Sequence, residues 1–127
     1  MDKHELTRRT REFARRVFKL LDRLPKGQAS QVITYQLMKS SSSVAANYRA
    51  VNRAKSSIDF RNKIKIVLEE ADESNFWLTF IADLELLSSE DKELDLLTKE
   101  SDELTAIFAA SLKTLNNQNL KSKNPKS

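Results

Sequence analysis

The chain of 127 residues is predicted to fold as an all-α, up-down-up-down antiparallel four-helix bundle, and three observations carry that prediction. One Gly and two Pro leave almost nothing from which to build tight hairpins or Gly-rich phosphate loops, which argues against a β-sandwich, a Rossmann unit and a P-loop. Apolar residues recur at steps of three and four over long stretches, the period of an amphipathic helix. Breakers cluster at three places and divide the chain into four long pieces joined by short connections, which set sequential neighbours antiparallel.

The first helix is expected at residues 4–24, with Leu6, Phe13, Val17, Leu20 and Leu24 on its apolar stripe. Leu24-Pro25-Lys26-Gly27 ends it, Gly27 supplying a positive φ at its C-terminus. The second, at 28–55, carries Ser40-Ser41-Ser42-Ser43 in its middle, where hydroxyls can bond backward to the main chain and small side chains permit close approach. Ser56-Ser57 before Ile58-Asp59 reads as a cap and restart. The third helix, at 58–87, has its stripe at Phe60, Ile64, Val67, Ala71, Ser74, Leu78 and Ile81. Ser88-Ser89-Glu90-Asp91 starts the fourth, at 90–118, whose seam is Leu94, Leu97, Ser101, Leu104, Phe108, Ser111 and Leu115. Residues 1–120 then form one domain and 121–127 a disordered polar tail.

From Phe76 to Leu87 nine of twelve residues are apolar and spread around the whole cylinder. A helix apolar on all sides wants burial on all sides. This stretch is therefore expected to meet another subunit, with Phe76, Trp77, Phe80 and Leu84 as interface candidates; a wide intramolecular core capped by Trp77 is the alternative.

The side-chain inventory disfavours catalysis. Zero Cys removes a thiolate zinc site and a Cys nucleophile, and the single His, His4, lies at the N-terminus, away from any triad or metal cluster. Neither cofactor nor metal is expected. No run approaches the roughly 18 apolar residues that cross a bilayer, and no apolar signal core follows Met1; the expectation is a cytoplasmic protein without a membrane partner.

Charge is divided along the chain. Residues 1–65 hold 16 Lys and Arg against 5 Asp and Glu, a balance of +11, whereas residues 66–120 hold 3 against 13, a balance of −10.

Four segments of the middle region carry a resemblance: Ser43-Val44-Ala45-Ala46-Asn47-Tyr48-Arg49-Ala50; Arg53-Ala54-Lys55-Ser56; Asp59-Phe60 with Lys63 and Ile66; and Glu69-Glu70-Ala71-Asp72-Glu73 before Phe76-Trp77-Leu78. Together they resemble the bacterial four-helix bundle proteins first noticed as reading frames in intervening sequences of 23S ribosomal RNA genes. The resemblance spans roughly residues 10–115. It implies a ring-like homo-oligomer, usually a pentamer. It also implies similarity to accessory proteins of diversity-generating retroelements, which bind nucleic acid, RNA or DNA, and a reverse transcriptase. Many relatives carry Pro before the Asn and Glu soon after it; this chain has Ala45-Ala46 and Tyr48-Arg49-Ala50 there.

If the second and third helices turn near residue 56, facing positions sum to about 113. Ser43 then lies beside Glu70, Lys39 near Glu73, and Asn47 within a turn of Glu69 or Glu70. A carboxylate accepting from the Asn47 amide, the Ser43 hydroxyl and the Tyr48 phenol would fix the register. The chemical alternative is a carboxylate cluster doing acid-base or metal chemistry, since Glu69 and Glu73, or Glu70 and Ser74, share a face at i, i+4, but the Glu-x-x-His motifs of di-metal bundles are missing.

Arg8, Arg11, Arg15 and Lys19 follow steps of three and four, while Arg9, Arg16 and Arg23 recur every seven. Arg49 and Arg53 add cations near the second turn, with Lys55, Arg61, Lys63 and Lys65 beyond it. Cations one turn apart suit phosphates. Two other uses compete. Arg15 and Arg16 could pair internally with Glu100, Asp102 and Glu103 of an antiparallel fourth helix, or a basic face could meet the acidic face of a neighbouring subunit head to tail. Two functions follow from these readings: a non-enzymatic nucleic-acid-binding accessory protein, or an oligomeric scaffold or protein adaptor whose charges serve assembly.

Overall fold

A computed structural model describes the backbone of residues 1–123 and the side chains of residues 1–118. Four helices follow in order: α1 (Lys3–Leu21), α2 (Gln28–Val51), α3 (Ser57–Asp83) and α4 (Lys92–Lys123). Each packs against its neighbours in sequence, and α1 also meets α4, so the four close into an antiparallel bundle. Among the described residues there is no strand, and no helix is long and apolar enough to cross a membrane.

The predicted stripes line the core. Phe13, Val17 and Leu20 of α1, Ile64, Val67, Ala71, Leu78 and Ile81 of α3, and Leu94, Leu97, Leu104 and Phe108 of α4 are buried. α2 contributes Ile33, Leu37, Val44, Tyr48 and Val51, with Tyr48 tilted against Phe108 at a centroid distance of 5.5 Å. Leu24, Phe60 and Leu115 pack at the edges of this core.

The helix starts are capped by side chains that accept main-chain N–H groups of the first turn. Asp2 accepts from Glu5 at 2.9 Å, Ser56 from Asp59 at 3.0 Å and Asp91 from Leu94 at 3.0 Å. α2 has no side-chain cap; Gly27 stands before it with φ 153° and ψ 169°, a region open essentially only to glycine. Gly27 has the expected positive φ, but it introduces α2 instead of closing α1, because α1 ends at Leu21, three residues short of the expected 24.

The larger departure is the end of α3. The helix stops at Asp83, four residues before the expected 87, in a left-handed cap. Glu85 has φ 55°, its N–H donates to Ala82 O at 3.0 Å, and the Leu86 N–H donates to Ile81 O at 3.1 Å. Leu86 and Leu87 therefore turn back onto the core. The apolar run is consequently split between a helix and a returning loop, and much of what looked like an all-round apolar helix is covered within the chain. At the other terminus α4 continues to Lys123, past residue 121 where the polar tail was expected to begin; residues 124–127 of that expectation lie outside the described residues.

Candidate nucleic-acid interface

The heptad spacing of Arg9 and Arg16 puts both on the edge of α1 that meets α4, and Arg23 follows in the turn beyond Leu21. Arg9 grips Glu100 with two parallel bonds, Nε to Oε2 at 2.8 Å and Nη2 to Oε1 at 2.7 Å, and touches Glu103 at 3.0 Å. Arg16 makes the same fork on Glu93, its Nε donating at 3.0 Å, and Arg23 pairs with Asp91. The pairing holds the Glu93 carboxyl below its ordinary range and raises the Arg9 guanidinium further above its own. These forks are structural clasps between helices.

The expected register of this seam is corrected by them. Arg16 reaches Glu93 where Glu100, Asp102 or Glu103 was expected, Glu100 belongs to Arg9, and Arg15 pairs within its own helix with Glu12 at 2.6 Å. The cause is the early end of α1. Its last turn lies level with the start of α4, where Arg23 meets Asp91, so every facing pair shifts toward lower numbers.

With that edge committed, Arg11 and Lys19 line the seam toward α2, while Arg8 stands on the outer surface of α1 beside Arg9 and Glu12. Arg8, Arg11 and Lys19 are exposed and have no ion-pair partner among the described residues; the same holds for Arg49 and Arg53 of α2 and its following turn. Thr7 of α1 accepts a hydrogen bond from Asn52 at 3.3 Å, which aligns the two helices so that Arg8 and Arg11 lie level with Arg49 and Arg53. From Arg23 to Ile58 the chain contains no Asp or Glu, so α2 brings no carboxylate to this face. Lys63, beyond the turn, is held by Asp59 at 2.6 Å.

The expected polar layer between α2 and α3 exists, with other members. The register sum of about 113 holds: the Ser74 hydroxyl meets Ser40 at 2.9 Å, both buried. Asn47 instead donates to the carbonyl and hydroxyl of Ser43, one turn back, at 2.9 and 2.7 Å, so its amide is satisfied within α2 and reaches neither Glu69 nor Glu70. Glu69 and Glu73 are exposed. Glu70 is half-buried, and burial first, then the neighbouring Glu73, pushes its carboxyl up while Lys39 pulls it down. Tyr48 is a core residue whose phenol burial pushes up. The sequence reading missed Asn75, which donates to Ser101 Oγ at 2.9 Å and Asp102 at 2.9 Å and ties α3 to α4. Its position beside two Ser in facing stripes was the available signal.

The interface candidates on α3 divide. Trp77 and Phe80 are half-buried against the core, whereas Phe76 is 53% and Leu84 42% exposed. Phe76 lies edge-on to Trp77 at 4.9 Å and stacks on Phe80 at 5.6 Å. The Trp77 indole N–H is buried with no acceptor among the described residues.

These features meet a known pattern. The model of the 23S rRNA-intervening sequence protein family matches residues 2–110. The chain belongs to this family. Among solved structures it is similar to a protein of unknown function from the S23 ribosomal protein family of Bacteroides thetaiotaomicron VPI-5482, with 30% sequence identity and a TM-score of 0.76, covering 85% of this chain and 98% of the other. No curated protein matches it. This chain thus shares its four-helix fold with a solved protein of the same family.

Proposed function

We propose that this protein is a non-enzymatic nucleic-acid-binding accessory protein whose contact surface is the α1–α2 face, with Arg8, Arg11, Lys19, Arg49 and Arg53 meeting phosphates. One observation carries the reading: after Arg9, Arg16 and Arg23 are taken by carboxylates of α4 and the turn before it, five exposed cations of α1, α2 and the following turn remain without ion-pair partners among the described residues. Cations in such a row displace the counterions of a polyanion, and contacts to phosphates alone carry no base information. Arg15 adds to the same field while sharing its guanidinium with Glu12. RNA and DNA are both within reach of this chemistry, and self-association into a ring would repeat the patch and raise its effective concentration. A reverse transcriptase is a further partner that the family likeness proposes.

A second reading has its own observation. Phe76 and Leu84 leave an apolar surface on α3, and a basic face and an acidic face on one chain can meet head to tail between copies. In that reading the protein is an oligomeric scaffold and the cations face a neighbour. Arg11→Glu with Arg49→Glu separates the two. Loss of RNA and duplex-DNA binding, with the slope of log K against log salt shallower by about two and sedimentation unchanged, is the expected result. Unchanged affinity, or dissociation of the assembly, would assign the face to the scaffold.

A further inference from the structure

The α1–α2 face holds more than charge. Phe18 falls off the apolar stripe of α1, one position beyond Val17, and stands 38% exposed in a groove of about 500 Å³ whose walls include Arg11, Arg15, Lys19 and Ser42. One turn along α2, Met38 begins a second hollow of about 640 Å³ between the end of α1 and the start of α2, where Tyr35 is 64% exposed. Leu21 lies three residues after Phe18 and lines this second hollow, so the two hollows follow one another as a trough along the seam between the helices. No carboxylate lines either part. At the Tyr35 end the Ser30 hydroxyl is buried and has no hydrogen-bond partner among the described residues.

We propose that this trough seats a single-stranded nucleic acid, with bases stacking on Phe18 and Tyr35 while Arg11, Arg15 and Lys19 hold the phosphates beside Phe18 and Lys26 those beside Tyr35. The inference rests on the basic-face reading above and narrows it from polyanions in general to strands with unpaired bases. Duplex DNA presents its phosphates outward and keeps its base faces stacked, so it would answer the cations and leave both rings in water. An acidic protein would do the same. A single strand answers both, because every base has a π-face and successive bases alternate with phosphates along the backbone. The ring spacing fits: Phe18 and Tyr35 lie about two helical turns apart along the trough, roughly 10 Å, a distance that a few nucleotides span.

The test uses the full-length protein and three probes of equal charge: an oligothymidylate of about twelve nucleotides, an abasic strand of the same length, and a polyglutamate. A duplex of the same length is the fourth. Phe18→Leu and Tyr35→Leu keep apolar bulk and remove the aromatic plane, and circular dichroism confirms the fold. The wild type should bind oligothymidylate more tightly than the abasic strand, polyglutamate or duplex, and each substitution should cost roughly tenfold for oligothymidylate alone. Phe18→Trp should retain the binding and quench on addition of the strand. The proposal is overturned if both Leu variants bind oligothymidylate like wild type, or if the duplex, abasic strand or polyglutamate binds as well. In those cases a loss through Arg11→Glu with Arg49→Glu would still uphold the basic face. If that pair also has no effect, both readings fall.

Discussion

Glu85 closes α3 in a conformation that glycine holds without strain. Its φ of 55° brings Cβ toward a carbonyl, and its side chain has no hydrogen-bond partner among the described residues to offset that. Glu85→Gly should therefore stabilise the bundle by roughly 1 kcal/mol, read as a higher urea midpoint with an unchanged slope. Glu70 gives a second residue-level expectation, with a pH dependence. Its carboxyl is raised in the folded protein, chiefly by burial, so the folded state holds that proton more tightly than the unfolded chain does. Stability is then lost as pH climbs from the ordinary glutamate range through the raised value. Glu70→Gln should melt higher than wild type at neutral pH, and the difference should vanish below about pH 4, where both states are protonated. At this scale the sequence is least legible. Phe18 has no place in the stripe expected for α1, and only the helix rotation set by α2 and α4 shows that it borders the α2 seam. Asn47 looked like a cross-helix donor until its own turn satisfied it.

At the scale of elements, the α1–α4 seam rests on charged forks of unequal worth. Arg9 and Glu100 are both about four-fifths buried at the side chain, whereas Arg16 and Glu93 are about one-third exposed and Arg15 and Glu12 about half. Screening by water weakens a pair in that order. Double-mutant cycles to alanine should give a coupling of about 1 kcal/mol for Arg9 with Glu100, less for Arg16 with Glu93, and close to zero for Arg15 with Glu12. Equal couplings in urea melts would contradict the ranking. The existence, order and inner faces of the four helices were legible because the three-four period is enforced along every element by one shared core. Their ends were less so. The α3 terminus needed knowledge that a glutamate would accept a left-handed φ, and the α1 terminus was extended over Leu24, which packs on the core from a turn.

For the whole molecule, the antiparallel order gathers what the sequence spreads out. The start of α1, the end of α2 and the start of α3 lie at one end of the bundle, so Arg8, Arg11, Arg49, Arg53, Arg61 and Lys65, separated by dozens of residues, share one region. The end of α3 and the start of α4 bring Asp83, Glu85, Glu90 and Asp95 to the other. The register of α1 against α2 then decides that the cations continue along that face past Phe18 to Lys19. The sequence reading could count the charges of each half, but their geometry required the folded topology.

That separation makes the bundle a permanent electric dipole, lying oblique to its long axis. A highly charged strand would exert a torque on it at distances comparable to the screening length, before any side chain makes contact. Molecules arriving in the wrong orientation would be turned on approach, and the same field would push a carboxylate-rich surface away from the far end. Productive collisions would thus become more frequent without any gain in the lifetime of the complex, and added salt would act chiefly on how often the partners meet.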